Sequence, residues 1–254
     1  MTSILVTNDD GIAGPGLLPL RRALQEVGEV TIIAPDRQWT ASGHAKTMHK
    51  PLRIQQVTLA DGSPGYSSSG APSDCVALAV LGFLPKPPDL VVSGINLGAN
   101  VGHDITYSGT LAAAFEGTIS GIPSIAASLD TYEGGDFVPA AQFVASLARE
   151  VLARGLPQRI LLNVNIPSVP GEEIAGAEIT RLGRRLYRDQ LIKRQDPRGR
   201  DYYWIGGERP TGDADEEGTD IWALARKYVS VTPIHLDMTD YSFIEELRAW
   251  HLEL

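Results

Sequence analysis

Two adjacent carboxylates, Asp9 and Asp10, stand in Thr7-Asn8-Asp9-Asp10-Gly11 directly after an apolar run. Hard oxygen donors of this kind suit Mg²⁺ or Mn²⁺, although the same letters also make an Asp-Gly turn with a helix cap. A second polar stretch, from Ala34 to His44, carries hydroxyls at Thr40 and Ser42 that either complete a metal shell or cap turns. A third stretch, from Gly94 to Asp104, interleaves Gly94, Gly98 and Gly102 with Asn96 and Asn100. Such spacing lets a ligand approach the backbone closely and offers the Asn96 amide oxygen as a neutral metal ligand; the bland alternative is an ordinary Gly-rich loop. It lacks the Gly-Lys-Ser/Thr ending of a P-loop, and it does not follow the first strand as a dinucleotide fingerprint would. The fourth stretch, Tyr107-Ser108-Gly109-Thr110, precedes a helix-like run. Free N–H groups and the dipole at a helix start favour phosphate, with Ser108 and Thr110 adding hydroxyls, while simple capping by Ser108 explains the same residues. His103 and Asp104 are candidate proton donors or acceptors. The other histidines, His44, His49, His235 and His251, have no partner pattern and read as structural, and Cys75 reads as packing at a helix start.

These side chains can act together only if the fold gathers them, and the first half of the chain is patterned to do so. Short apolar runs predict strands over 3–7, 30–34, 90–93, 124–128 and 160–164, and helix-period runs separate them at 19–27, 73–81, 110–120 and 139–154. Alternation of this kind predicts an α/β fold with a doubly wound, largely parallel, Rossmann-like sheet, and such sheets bind ligands beyond the carboxyl ends of their strands. Three successive strands end in metal-type or phosphate-type residues, which points to one shared site. After about Gly171 the alternation stops and arginines crowd together from Arg184 to Arg200, interleaved with aspartates. A solvated hairpin or a subunit contact fits that stretch better than an anion site. Strands are expected over 179–182, 201–205 and 228–234, with a terminal helix over 243–252. The division expected is an α/β catalytic core over 1–170 and a C-terminal β-rich extension over 171–254, with a hairpin, a closing strand and a terminal helix.

Composition narrows the function classes. The 254 residues carry 22 Lys plus Arg against 31 Asp plus Glu, a net charge of −9, so a phosphate-backbone binder is disfavoured and no nucleic-acid partner is expected. A 43% hydrophobic and 21% charged chain folds rather than staying disordered. The lone cysteine forms no internal disulfide, the start of the chain lacks a signal-peptide pattern, and the longest apolar run is too short for a bilayer. A cytoplasmic protein without a membrane partner is therefore expected.

The ordered set of motifs resembles one family, the SurE survival proteins, which are metal-dependent 5'/3'-nucleotidases. The matching stretches are Ile4 to Gly11, Ala34-Pro35-Asp36-Arg37, Gly70 to Val76, Val92 to Gly98, Tyr107 to Thr110, Leu162 to Pro167, Glu217-Gly218-Thr219-Asp220 and Tyr228 to Pro233. The resemblance implies that Asp9, Asp10 and Asn96 bind one divalent ion per subunit, Mg²⁺ or Mn²⁺, together with a hydroxyl from the second stretch. Thr40 occupies the position usually held by serine, with Ser42 two residues later, and Ala71 replaces a common threonine. It further implies that Asn100, Ser108, Gly109 and Thr110 hold the substrate phosphate, that Asp9 orients or deprotonates the attacking water, and that nucleoside 5'- and 3'-monophosphates are the substrates. Homodimers or homotetramers, with the C-terminal region reaching to a partner subunit, are implied as well.

Other classes explain fewer residues. A haloacid-dehalogenase-type phosphatase needs Asp-x-Asp where this chain has Asp9-Asp10-Gly11. A receiver domain needs an aspartate ending the third strand, where Ser93-Gly94-Ile95-Asn96 stands. A non-catalytic nucleotide- or phosphate-binding α/β module uses the same cradle, and metal-dependent phosphate release separates it from an enzyme.

Overall fold

A computed structural model describes residues 2–207 and 210–252. Thirteen strands follow in chain order: β1 Ser3–Thr7, β2 Glu29–Pro35, β3 Ile54–Thr58, β4 Pro64–Ser68, β5 Leu90–Leu97, β6 Ser124–Asp130, β7 Ile160–Pro167, β8 Gly176–Ile179, β9 Arg185–Leu186, β10 Asp189–Gln195, β11 Asp201–Gly207, β12 Thr211–Gly212 and β13 Tyr228–His235. The α-helices are α1 Leu17–Leu24, α2 Pro72–Leu78, α3 Gly109–Ile119, α4 Val138–Arg154, α5 Asp220–Ala225 and α6 Tyr241–Arg248.

Nine strands form one sheet in the order β3-β4-β2-β1-β5-β6-β7-β13-β8, and the run from β4 through β7 is parallel throughout. The sheet is doubly wound because its strands are apolar on both faces. Ile4 and Val6 of β1 join the core under α1 and α4, whereas Leu5 between them joins the core that holds α2 residues Cys75 and Val76. Helix α1 answers with Leu17, Leu20 and Leu24, spaced three and four apart so that all three lie on its buried stripe. Helix α4 does the same with Ala140, Ala141, Val144, Ala145, Ala148 and Val151.

Strand β1 lies between β2 and β5, so the chain winds outward in both directions from it. The crevice of a doubly wound sheet opens at that reversal of strand order, beyond the carboxyl ends of β1 and β5.

Several elements differ from the sequence expectation for physical reasons. Strand β5 continues four residues past Ser93 through Asn96 and Leu97, across an irregularity in its pairing with β6, so Asn96 is strand and not loop. Strands β3 and β4 were not expected: Pro64-Gly65-Tyr66-Ser67-Ser68 lacks the β-branched run that marks a strand, and pairing with the edge of β2 supplies the order instead. Strand β8 ends at Ile179, so the strand expected over 179–182 is shifted toward the N-terminus. Helix α6 starts at Tyr241 because Asp240 accepts from the Phe243 N–H at 3.0 Å, and it stops at Arg248, short of the expected 252.

Residues beyond 170 complete this same sheet, since β13 pairs antiparallel with β7 and parallel with β8. Among the described residues the hairpin of β10 and β11 stands apart from it, paired only within itself and exposed along nearly all of its length. No helix among the described residues is long and apolar enough to cross a membrane.

Candidate active site

The ends of β1 and β5, the polar segment after β2 and the start of α3 meet around one cavity of about 970 Å³. Asp9, Asp10, Thr40, Asn96, Asn100 and Ser108 all line it. Residues 87 positions apart are thereby joined, and the Leu97 N–H donates to Asp10 Oδ2 at 3.3 Å.

Asp9 is only 5% exposed. Its Oδ1 accepts a 2.6 Å hydrogen bond from the Thr110 hydroxyl, and its backbone carbonyl accepts from the Trp39 N–H at 2.8 Å. Burial pushes its carboxyl up to about 6; the Thr110 hydroxyl opposes that rise and the neighbouring Asp10 charge adds to it. Asp10 is also raised, chiefly by burial, with the Leu97 N–H pulling the other way. Among the described residues no basic side chain lowers either carboxyl. A buried and a half-buried carboxylate side by side are costly in isolation and are the expected partners of a cation.

The Asn96 side chain donates through Nδ2 to the Gly98 carbonyl at 2.8 Å, which fixes its amide plane and leaves Oδ1 available as an acceptor. Among the described residues no three His, Cys, Asp or Glu side chains gather as a metal cluster. A donor set here is therefore two carboxylates supplemented by neutral amide and hydroxyl oxygens, which suits a hard, partly hydrated ion such as Mg²⁺ or Mn²⁺.

Helix α3 aims its N-terminus at Asp9. Ser108 caps it, accepting from the Leu111 N–H at 3.1 Å, and Ser108 is 7% exposed at the cavity wall. Gly109 has no room for a side chain: a Cβ there would lie 2.8 Å from Asp9 Cβ and 3.1 Å from both Asp9 Oδ2 and Ser42 Oγ. Thr110 is fully buried and spends its hydroxyl on Asp9.

The segment after β2 is pinned before Ser42 by the Trp39 N–H on the Asp9 carbonyl and beyond it by three further contacts. The Gly43 N–H donates to the Tyr107 carbonyl at 2.9 Å, while His44 Nε2 and Lys46 Nζ reach the Glu116 carboxylate on α3 at 3.2 and 2.9 Å. Those contacts draw Glu116 below the ordinary carboxylate range, the His44 hydrogen bond contributing most. His44, which shows no partner pattern in the sequence, thus ties the two segments together. Thr40 faces the cavity and is exposed, whereas Ser42 is half-buried against Gly109.

Asn100 is 9% exposed, and its Nδ2 donates to Ser128 Oγ on β6 at 2.8 Å. His103 and Asp104 lie farther along the same wall. Asp104 pairs with Arg185 at 3.2 Å and accepts from the Tyr187 hydroxyl, so β9 and the residue after it complete that side of the cavity. Arg185 and Tyr187 were not singled out as site residues in the sequence. Their only signal was position in an arginine-rich stretch, which says nothing about a contact 83 residues away.

The profile of the family described as Survival protein SurE matches residues 4–189. The chain belongs to the SurE family. A relative from Chloroflexus aggregans called 5'-nucleotidase SurE is 53% identical over 98% of this chain and 99% of its own length. The 5'-nucleotidase SurE of Geobacter sulfurreducens is 50% identical over 98% of this chain and 94% of its own. The crystal structure of the SurE protein from Aquifex aeolicus superposes with a TM-score of 0.84 at 42% identity, covering 97% of this chain and 98% of that one. The doubly wound sheet and the motifs from Ile4 to Pro233 are thus those of a SurE chain along nearly its full length.

Proposed function

We propose that this SurE-family chain is a divalent-metal-dependent phosphomonoesterase that hydrolyses nucleoside 5'-monophosphates, and 3'-monophosphates, to nucleoside and inorganic phosphate. The single observation that carries the reading is the convergence of Asp9, Asp10, Asn96 and Ser108 on one cavity at the strand-order reversal. The names of its relatives support the same activity.

Asp9, Asp10, Asn96 and the hydroxyl of Thr40 would hold one Mg²⁺ or Mn²⁺ ion per subunit, with Ser42 the alternative hydroxyl. When bound, the ion supplies positive charge to the phosphoryl oxygens and makes a bound water a stronger acid. Asp9 would orient the attacking water and accept its proton. The Thr110 hydroxyl holds Asp9 Oδ1, so Oδ2 would remain free to hold the cation. Ser108, Asn100 and the first N–H groups of α3, at Gly109 and Thr110, hold the phosphate, where the helix dipole adds to the attraction. The bare glycine at 109 lets α3 begin hard against Asp9 and Ser42, which sets those N–H groups beside the carboxylate.

The exposed hairpin is the surface by which subunits pair into a homodimer or homotetramer. Leu191 is 68% exposed, Trp204 62% and Ile205 78%, a density of apolar surface that a monomer rarely leaves uncovered. The chain as a whole works in the cytoplasm, where its one buried thiol, pushed up to about 12 by burial, stays reduced and unreactive. Residues 1–170 form the catalytic core in this reading, and residues 171–254 close its sheet and carry the partner contact.

Release of inorganic phosphate from a panel of nucleoside monophosphates, run with Mg²⁺, with Mn²⁺ and with EDTA, tests the proposal. Phosphate release with metal and none with EDTA is expected; no release with any combination would reject the enzyme reading.

A further inference from the structure

Two of the late motifs have no place in the chemistry above: Leu162 to Pro167, with asparagines at 163 and 165, and Glu217 to Asp220. Asn163, Asn165 and Asp220 are all completely buried. Asparagine is a poor strand former, and two of them two apart in β7 place both side chains on one face of the sheet. Val164 between them packs into the core under α1 and α4, so the asparagines face the side of α3.

All three turn out to grip the same short segment. The Asn100 carbonyl accepts from Asn163 Nδ2 at 2.8 Å and from Asn165 Nδ2 at 2.9 Å, while the Asn100 N–H donates to Asn165 Oδ1 at 2.7 Å. Two residues on, the Gly102 N–H donates to Asp220 Oδ2 at 2.8 Å, and the other Asp220 oxygen accepts from the Gly183 and Ile221 N–H groups at 2.7 and 2.8 Å. The segment is held from a strand two places away in the sheet and from the N-terminus of α5. Gly102 at φ +55° completes the fit, since a Cβ there would lie 2.7 Å from the Gly183 carbonyl.

A loop does not need that many buried polar partners merely to be covered, because apolar neighbours and solvent serve most loops. The grip fixes the backbone that carries the Asn100 side chain, whose Nδ2 donates one hydrogen to Ser128 and keeps a second donor for an anion in the cavity that Asn100 lines. We infer that Asn163, Asn165 and Asp220 are positioning residues: they act through the Asn100 to Gly102 backbone to set the Asn100 side chain against the substrate phosphate. The inference rests on the phosphate-binding role proposed for Asn100 above. Through Asp220 it also makes the region beyond residue 170 part of the phosphate site.

The test uses the full chain carrying Asn165→Asp or Asp220→Asn, both nearly unchanged in volume. Asn165→Asp removes one of the two donors to the Asn100 carbonyl, and Asp220→Asn leaves only one oxygen for the Gly102 and Gly183 N–H groups. Inorganic phosphate binding by titration calorimetry, Mn²⁺ binding, and the kcat and KM for a nucleoside monophosphate are measured in each. Phosphate affinity is expected to weaken by about 10-fold, with KM rising in parallel and kcat falling by up to about 100-fold, as for a group misplaced by about an ångström. Mn²⁺ affinity is expected to stay within about twofold, because Asp9, Asp10 and Asn96 are untouched. Asp220→Ala should be worse than Asp220→Asn, which keeps one acceptor. Variants that bind phosphate as tightly as the parent, or that lose activity only in proportion to unfolded protein, would overturn the inference. Phosphate binding needs no turnover, so a parent that binds phosphate yet hydrolyses no nucleotide fails the nucleotidase reading and leaves this measurement decisive.

Discussion

Neutralising Asp9 should make the metal-free protein more stable while abolishing its chemistry. The carboxyl is buried and its proton affinity is raised from the ordinary 3.8 to about 6, so holding it ionised in the folded chain costs about 3 kcal/mol at neutral pH. The sign follows from proton counting. Below pH 3.8 folded and unfolded chains both carry the proton and the penalty is absent. Between there and about pH 6 the folded chain binds more protons than the unfolded one, so stability falls as pH rises, and the loss is complete above about 6. Asp9→Asn has no proton to lose, and its side-chain oxygen still accepts from Thr110. In EDTA at pH 7.5 the variant should be the more stable by up to about 3 kcal/mol. For 254 residues, unfolding with an entropy of about 2.1 cal/mol/K per residue, that is a rise in Tm of about 6 °C. At pH 4 the gap should shrink to well under about 1 kcal/mol. Adding Mn²⁺ at about 100 times its Kd should stabilise the parent by about 2.7 kcal/mol and the variant hardly at all, nearly closing the gap at pH 7.5. Scanning calorimetry at the two pH values, with and without metal, reads all of this. Equal melting temperatures in EDTA at pH 7.5, or a gap of the same size at pH 4, would refute the account of Asp9 as a buried, uncompensated carboxylate.

Three further outcomes follow from the same geometry. Gly109→Ala drives a methyl to within 2.8 Å of Asp9 Cβ, so kcat/KM should fall by about 100-fold while far-ultraviolet circular dichroism is unchanged; an active alanine variant would show that α3 does not sit this close to Asp9. Thr40→Val, which removes the hydroxyl and keeps the shape, should weaken Mn²⁺ binding by about 10-fold, and Thr40→Ser should restore it; if Ser42→Ala is the weaker binder instead, the hydroxyl ligand is Ser42. Replacing the hairpin of β10 and β11 with a short turn should lower the mass measured by sedimentation and leave β13 in the sheet, whereas an unchanged mass would place the subunit contact elsewhere.

What the sequence reveals about the site depends on whether a residue's type contradicts its surroundings. Asp9, Asp10 and Asn96 were legible because polar, ligand-type residues followed apolar strand runs, and Ser108 because it stands just before a helical run; the order of the strands in a doubly wound sheet puts these ends together. The core strands and α4 were legible for the same reason in reverse, since unbroken apolar runs and a helical stripe admit few other readings. Strand β4 was not, because Pro64 and Gly65 carry no strand preference and its order comes from an edge pairing. Nor was β10, whose charged, exposed residues follow no buried pattern. Thr110 read as a phosphate group from its place at a helix start, and only coordinates show its hydroxyl spent on Asp9. Asn163 and Asn165 did carry a signal: two asparagines on one face of a strand otherwise rich in Leu, Val and Ile. Their partner could not be read, because the Asn100 backbone is reached only by crossing β6.

The same crossing explains why the site is carried on strand ends and braced from so far away. A phosphate pocket must present N–H groups and hydroxyls to an anion beside two carboxylates that repel it, so small errors in placement change the sign of the net field. Loops alone place groups less well than strands and helices do. Here each acting segment is fastened to a rigid element by buried polar bonds: Asp9 to α3 through Thr110, the second segment to α3 through Glu116, and Asn100 to β6 and β7. Every one of those bonds satisfies a group that would otherwise be buried and unpaired, so loosening the site would also cost stability. The burial of the Asp9 carboxylate, with a smaller repulsion from Asp10, is what this bracing holds in place until a cation arrives, and that is why the metal-free chain should be weakest above about pH 6.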